Sequence, residues 1–260
     1  MKALAARRHH RLAPVLLMLL ALLVTGGVYA ALAPSPAAQA DTASTADIET
    51  GKKLFQANCA TCHGPSAEGT AQAPSLVGVG AAAVDFQVST GRMPMQMNGP
   101  QAEAKPPQMN EEQTAALAAY VASLGAGPAI PTDEQVDASL GDPANGAALF
   151  RTNCAMCHNA VGAGGALSEG KFAPPLFETS EQNIYQAMLT GPQSMPVFND
   201  ANITPDEKRD IIAYLDEQRD GSAGGLSLGS LGPVSEGLWA WIVGLGLIIG
   251  AAVWIGAKSS

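Results

Sequence analysis

Gly51-Lys-Lys-Leu54-Phe55-Gln-Ala-Asn58-Cys59-Ala-Thr-Cys62-His63 recurs 95 residues later as Gly146-Ala-Ala-Leu149-Phe150-Arg-Thr-Asn153-Cys154-Ala-Met-Cys157-His158. Gly, Leu, Phe, Asn, both Cys and His coincide. The register holds further on. Ala73-Pro74-Ser75-Leu76 answers Ala173-Pro174-Pro175-Leu176, Thr90-Gly91 answers Thr190-Gly191, Met93-Pro94 answers Met195-Pro196, and Leu117-Ala-Ala-Tyr120 answers Ile211-Ile-Ala-Tyr214. Ordered self-similarity at one period marks duplicated structural units. Two domains are expected, residues 45–125 and 144–220.

Each copy reads as helical. Asp47 to Ala57 and Asn145 to Thr152 follow the candidate caps Asp47 and Asn145 and place apolar residues at three- and four-residue intervals. Asn110-Glu-Glu-Gln113 opens Thr114 to Leu124 like a capping box, and Thr204-Pro205-Asp206-Glu207 opens the equivalent helix to Glu217. Val84 to Ser89 and Gln182 to Leu189 suit a short middle helix. No alternating strand pattern of useful length occurs, so the expected class is all-α. Gly51, Phe55 and Tyr120, like Gly146, Phe150 and Tyr214, suit a crossing of first and last helices that glycine permits to be close.

The net charge is −9, and four of the fourteen basic side chains, Lys2, Arg7, Arg8 and Arg11, precede the first apolar run. The remainder is still more acidic, which excludes a nucleic-acid partner, whose phosphates demand a basic face. Aromatic residues make up only 5%, with 28 Gly and 18 Pro, an underfilled interior that a large apolar cofactor would complete. All four cysteines lie in the two CxxCH motifs, so none is left for a structural disulfide.

Both ends carry apolar runs. Residues 1–40 hold Leu12 to Leu32, which has the roughly 20 residues needed to cross a bilayer. They also hold Ala38-Gln39-Ala40, a small-x-small cleavage pattern, so membrane anchor and secretory signal both stay open. Residues 236–257 hold Leu238 to Ala257, uncharged, with Trp239, Trp241 and Trp254 near its ends and Lys258 beyond, and read as a transmembrane helix. Basic residues flank both runs on their outer sides and face the cytoplasm by the positive-inside rule. The region between is expected outside the cell membrane, with the C-terminus cytoplasmic. Residues 126–143 read as an acidic linker, and residues 221–235, with Gly- and Ser-rich Gly221 to Gly232, as a flexible tether.

In CxxCH the two thiols lie on one turn and reach the vinyl groups of a haem, while the following imidazole turns to the iron. Cys59, Cys62, Cys154 and Cys157 are the candidate attachment residues for two covalently bound haem c groups, with His63 and His158 as axial iron ligands. A thioether on the other side would complete the coordination. Met93, Met95, Met97 and Met109 are all in range in the first copy. Only Met93 shares the upstream Thr-Gly and the following proline with Met195, which selects Met93 and Met195. A haem-ligating histidine usually donates its second ring N–H to a carbonyl, and Pro74 and Pro174 are the candidates. Plain packing of the methionines against the ring and a simple turn at each proline are the alternatives.

With this order of features each copy resembles a class I cytochrome c domain. The whole chain resembles the dihaem cytochrome c subunit of the actinobacterial menaquinol-oxidising bcc (bc1-type) complex. The stretches that carry this are Cys-x-x-Cys-His-Gly, Phe86-Gln-Val-Ser-Thr-Gly-Arg-Met93-Pro, Lys105-Pro-Pro, Lys171-Phe-Ala-Pro174, Met188-Leu-Thr-Gly-Pro-Gln-Ser-Met195-Pro, and the tether leading to Trp-Ile-Gly-Ala-Lys258. The resemblance implies an electron-transfer subunit of a proton-translocating quinol–cytochrome c oxidoreductase, with no acid/base or nucleophilic site of its own. It implies three partners: a cytochrome b subunit, a Rieske iron–sulfur subunit that donates electrons to the first haem, and a haem–copper terminal oxidase that receives them from the second. Competing readings are a dihaem subunit of a cbb-type oxidase or of a membrane dehydrogenase, a dihaem peroxidase, and a zinc or dithiol module.

Overall fold

A serine three residues before an aspartate starts the first helix of the first copy. Ser44 accepts from the Asp47 N–H while the Asp47 carboxylate accepts from the Ser44 N–H at 3.0 Å, a reciprocal cap. The structure, a computed structural model, describes residues 13–32, 44–97, 99–220 and 233–258. The basic N-terminal cluster, the Ala38-Gln39-Ala40 pattern and the tether Gly221 to Gly232 lie outside those residues.

The helices are α1 (Ala13–Leu32), α2 (Thr45–Asn58), α3 (Ala60–His63), α4 (Gly80–Ser89), α5 (Glu111–Ser123), α6 (Asp133–Val136), α7 (Pro143–Asn153), α8 (Ala155–His158), α9 (Glu181–Thr190), α10 (Pro205–Asp220) and α11 (Pro233–Lys258). The only strands among the described residues are β1 (Gly165–Ala166) and β2 (Phe172–Ala173), which pair antiparallel. The fold is therefore all-α apart from this small hairpin. The hairpin occupies the extra length of the second copy, where histidine and proline stand 16 residues apart rather than 11.

Two of the expected caps are corrected. Asp47 is the third residue of its helix and completes the box of Ser44. Asn145 lies inside α7, which Asp142 caps by accepting from the Ala144 and Asn145 N–H groups, with Pro143 at the first turn. The Asn145 side chain instead donates to Asp210 at 2.8 Å. A short acceptor just ahead of a proline outcompetes one already inside the first turn. Both later boxes form as read: the Gln113 N–H donates to Asn110 at 2.9 Å, and the Thr204 N–H donates to Glu207 at 2.8 Å.

The contacts divide the chain into two compact units, Met1–Ala81 with Ala115–Ala129, and Ala82–Thr114 with Ile130–Ser260. In the first, α2 crosses α5 so closely that a Cβ on Gly51 would lie 1.9 Å from the Ala116 carbonyl oxygen. Phe55 meets Tyr120 beside this crossing at 5.3 Å between ring centroids. The second unit repeats it: a Cβ on Gly146 would lie 1.8 Å from the Asp210 oxygen, and Phe150 meets Tyr214 at 5.5 Å. Such tilted aromatic pairs add about 0.5–1.5 kcal/mol beyond their burial.

Gly146→Ala is expected to destabilise the second unit by about 3 kcal/mol, the upper end for overpacking, because backbone rather than a flexible side chain stands in the way. Denaturant melts would show it. A loss below about 1 kcal/mol would mean the helices part easily.

Around Phe150, the core of the second unit is Ile184, Tyr185, Met188, Ile211, Ile212 and Leu215, all at most 5% exposed. Residues 82–114 join this unit through named bonds. Gln182 and Gln186 donate to Asp85 at 3.0 and 2.7 Å, and the Gln101 amide exchanges two 2.9 Å bonds with the Phe172 backbone at the hairpin edge. The stretch from Gly125 to Pro143 contains α6 and a 3-10 turn, Ala138–Leu140.

Within α11, Gly237–Ala257 spans 21 residues with mean hydropathy 2.2 and no burial, long and apolar enough to cross a membrane. The corresponding stretch of α1, Pro14–Val28, is shorter.

Candidate functional site: two cysteine–histidine turns

The last turn of α2 delivers the first cysteine through the Cys59 N–H bond to the Phe55 oxygen, 2.8 Å; α7 delivers Cys154 through the equivalent bond to Phe150, also 2.8 Å. The chain then kinks and re-enters one helical turn. His63 N–H bonds the Cys59 oxygen at 3.0 Å, and His158 N–H bonds Cys154 at 2.9 Å. This turn places both thiols and the imidazole on neighbouring helical positions.

Each histidine is locked by a backbone carbonyl across the loop. His63 Nδ1 lies 2.8 Å from the Pro74 oxygen, and His158 Nδ1 lies 3.0 Å from the Pro174 oxygen. A carbonyl only accepts, so Nδ1 carries a proton in both rings, and the neutral tautomer of each has its lone pair on Nε2. Burial lowers the pKa of His158, an effect that the bond to Pro174 partly offsets, so the ring is neutral at physiological pH.

The loops that carry these carbonyls are built alike, a feature that the sequence reading missed. Gly64, Ala67 and Gly69 have positive φ (82°, 61° and 87°), and so do Asn159, Gly162 and Gly164 at the same register positions (66°, 77° and 80°). Gly69 N–H returns to the His63 oxygen at 2.7 Å and Gly164 N–H to His158 at 2.8 Å. A Cβ on Gly69 would lie 2.5 Å from the Ser75 nitrogen, and one on Gly164 would lie 2.6 Å from the Ala173 oxygen. The available signal was a glycine six residues after each histidine. Tyr214 adds a further tie, donating to the Ala160 oxygen at 2.7 Å. Arg219 on α10 holds the loop after Pro174, bonding Glu181 at 2.7 Å, the Leu176 oxygen at 3.1 Å and the Thr179 oxygen.

His63 and Pro74 lie in the first unit and Met93 in the second, whereas His158, Pro174 and Met195 all lie in the second. Met93 and Met195 are half-buried. Met93 N–H bonds the Gln87 oxygen at 2.9 Å, and Met195 packs on the core around Phe150. By contrast, Met97 is 79% and Met156 88% exposed. Arg92, beside Met93, stacks on Phe86 at 4.8 Å from the ring centroid, and burial lowers its pKa.

The four cysteines form no disulfide. Burial, reinforced by the neighbouring Cys62, pushes the Cys59 thiol up to about 11, and burial with Cys157 pushes Cys154 up to about 12. Raised thiols at Cys59 and Cys154 do not favour the thiolate through which a redox dithiol or a zinc site acts. Among the described residues, no group of three or more His, Cys, Asp or Glu converges to hold a metal ion.

Residues 48–125 match the family described as "Cytochrome c", and residues 141–215 match "Cytochrome C oxidase, cbb3-type, subunit III". A protein of Corynebacterium diphtheriae named "Cytochrome bc1 complex cytochrome c subunit" is 45% identical, covering 99% of this chain and 99% of its own. A protein of the same name from Mycobacterium tuberculosis is 47% identical over 97% of this chain and 93% of its own. The chain belongs to the family of cytochrome bc1 complex cytochrome c subunits. A solved Kuenenia stuttgartiensis reducing HAO-like protein complex is similar at a TM-score of 0.34 and 16% identity over 65% of this chain and 96% of that one, too loosely to carry an argument.

For a cytochrome c the donor set fits haem c. Protonated thiols add to vinyl groups to give thioethers, an imidazole with Nε2 free offers one axial nitrogen, and the glycine-lined loop brings the carbonyl to the far ring nitrogen. Val161, Phe177 and Val197, close in sequence to His158, Pro174 and Met195, are 43%, 42% and 52% exposed and offer apolar surface to a macrocycle.

Proposed function

We propose that this chain holds two haem c groups as the electron-transfer subunit of a menaquinol-oxidising, proton-translocating bc1-type complex, and relays electrons from a Rieske iron–sulfur subunit to a haem–copper terminal oxidase. The observation that carries the reading is the pair of histidines, each following a CxxC turn and each held at Nδ1 by a proline carbonyl. Cys59, Cys62, Cys154 and Cys157 would fix the two groups covalently. His63 and His158, with Met93 and Met195, would supply the axial atoms. Bound there, haem supplies a reversible one-electron couple. The protein's part is to hold each imidazole in one tautomer and orientation through Pro74 and Pro174, and to close the other face with a thioether that excludes small ligands.

The relatives' shared name supports the complex and its cytochrome b and Rieske partners. The apolar α11 supports a cell-membrane location. Lys258 at its end supports a cytoplasmic C-terminus with the haem domains on the outer side. The relay calls for no acid/base chemistry from this chain, and quinol oxidation would fall to the cytochrome b and Rieske partners.

Affinity purification of the full chain from membranes should recover the cytochrome b and Rieske polypeptides together with oxidase. A haem stain after denaturing electrophoresis should mark this chain, at two haems per polypeptide. Recovery without those partners, or an unstained band, would overturn the proposal. A second reading, a subunit of a cbb-type oxidase, draws on the match over residues 141–215 alone. Relatives that cover nearly the whole chain weigh against it, and co-purification with cbb-type catalytic subunits would favour it.

A further inference from the structure

Met195 begins a strap, residues 195–204, that joins α9 to α10. It takes nine residues to reach the cap Thr204, where the first copy takes seventeen from Met93 to Asn110. A bond from the Phe198 N–H to the Met188 oxygen, 2.8 Å, pins its middle. The far half is turned on itself by Asn199, whose Oδ1 accepts from the Ala201 and Asn202 N–H groups, and is tied to α10 by Lys208. Lys208 Nζ donates to Asp200 Oδ1 at 2.7 Å and to the Ile203 carbonyl oxygen at 2.6 Å, and lies 5.8 Å from the Tyr185 ring centroid.

Lys208 is wholly buried, at 0% exposure, while the Asp200 side chain is 61% exposed. An ammonium removed from water costs several kcal/mol unless its protons are met by good acceptors. In the repeat register Thr204 to Lys208 falls on Asn110 to Thr114, and Thr114 is itself only 3% exposed. A small neutral residue thus fills this place in the first copy. The cap of α10 does not call for the charge either, since Thr204 and Glu207 complete it between themselves. What Lys208 adds is two fixed points on the strap. One of them, Ile203, is 3% exposed and packs in the same core as Met195.

We propose that Lys208 is a positioning residue for Met195: by clamping Asp200 and Ile203 it draws the short strap onto α10 and holds the thioether on the second haem iron. The inference rests on Met195 as the axial ligand. It predicts an asymmetry between the two copies, because the first has no ammonium at this position.

The test uses the full chain with its haems attached and two variants, Lys208→Met and Asp200→Asn. Lys208→Met keeps length and burial and leaves Asp200 in water. Asp200→Asn alters an exposed group and keeps the proposal testable if the first variant fails to fold. The readouts are the red charge-transfer band of sulfur-ligated ferric haem, its loss on warming, carbon monoxide binding by the reduced protein, and helical circular dichroism.

In both variants about half of the red band, the share of one haem in two, should fade at a lower temperature than in the parent and well before the helices melt. Carbon monoxide should enter one haem of the two, more fully in Lys208→Met. A band and a carbon monoxide exclusion that follow the helical melt as in the parent would overturn the proposal and leave Lys208 as packing. Met195→Ala, run beside them, separates the two failures. If it leaves the band and the exclusion intact, the ligand reading falls and the positioning role with it; if it abolishes half the band while both variants behave as the parent, only the positioning role falls.

Discussion

Replacing Cys154 and Cys157 together with alanine is expected to halve the covalently bound haem, from two groups per chain to one, and to loosen the second unit. The two thiols sit on one turn that α7 delivers through a 2.8 Å backbone bond, and no other cysteine in the second copy could substitute. Without thioethers, retention of the group falls to axial bonds alone. The His158–Pro174 lock would still orient the imidazole, so any haem retained would be held non-covalently and would not survive denaturing electrophoresis. The measurement is haem content per polypeptide, by pyridine haemochrome and by intact mass. The melting of the second unit should fall with it, because a ligand that binds only the folded state stabilises it. Unchanged haem stoichiometry would sink the assignment of these cysteines.

Met195→Ala is the second large effect. A thioether on iron favours the ferrous state and closes the sixth position. Its removal should lower the potential of one of the two haems, take away about half of the red sulfur-to-iron band, and let the reduced protein bind carbon monoxide at one haem. Met195 lies half-buried against the core, so trimming it also opens a small cavity there. An unchanged potential would refute Met195 as ligand. Met156→Ala is the control: it lies between the two cysteines of the second copy, is 88% exposed, and should leave potential and spectrum alone.

Much of this was legible because the chain states it twice. One CxxCH or one glycine before an aromatic is a weak signal, whereas the same pair 95 residues later is not. The Gly51–Phe55–Tyr120 and Gly146–Phe150–Tyr214 crossings followed from that register. So did the choice of Pro74 and Pro174, whose carbonyls stand 2.8 and 3.0 Å from the imidazoles. Caps were less legible. Ser44 and Asp142 lie three residues before the residues chosen, and either set satisfies the local pattern until the N–H groups are traced.

The sequence by itself determined an all-helical pair of repeats, the cysteine turns with their histidines, and an apolar C-terminal helix. These depend on residues close along the chain or on a repeated register: helical periodicity, side chains one turn apart, and a run of apolar residues. The tertiary structure decided which unit residues 82–114 join, the hairpin edge met by Gln101, the shared positive-φ loops and the burial of Lys208. Each of these depends on what a side chain or a backbone amide meets after the chain has turned back on itself. A lysine in an amphipathic helix looks like a solvated one until the strap carrying Asp200 and Ile203 closes over it.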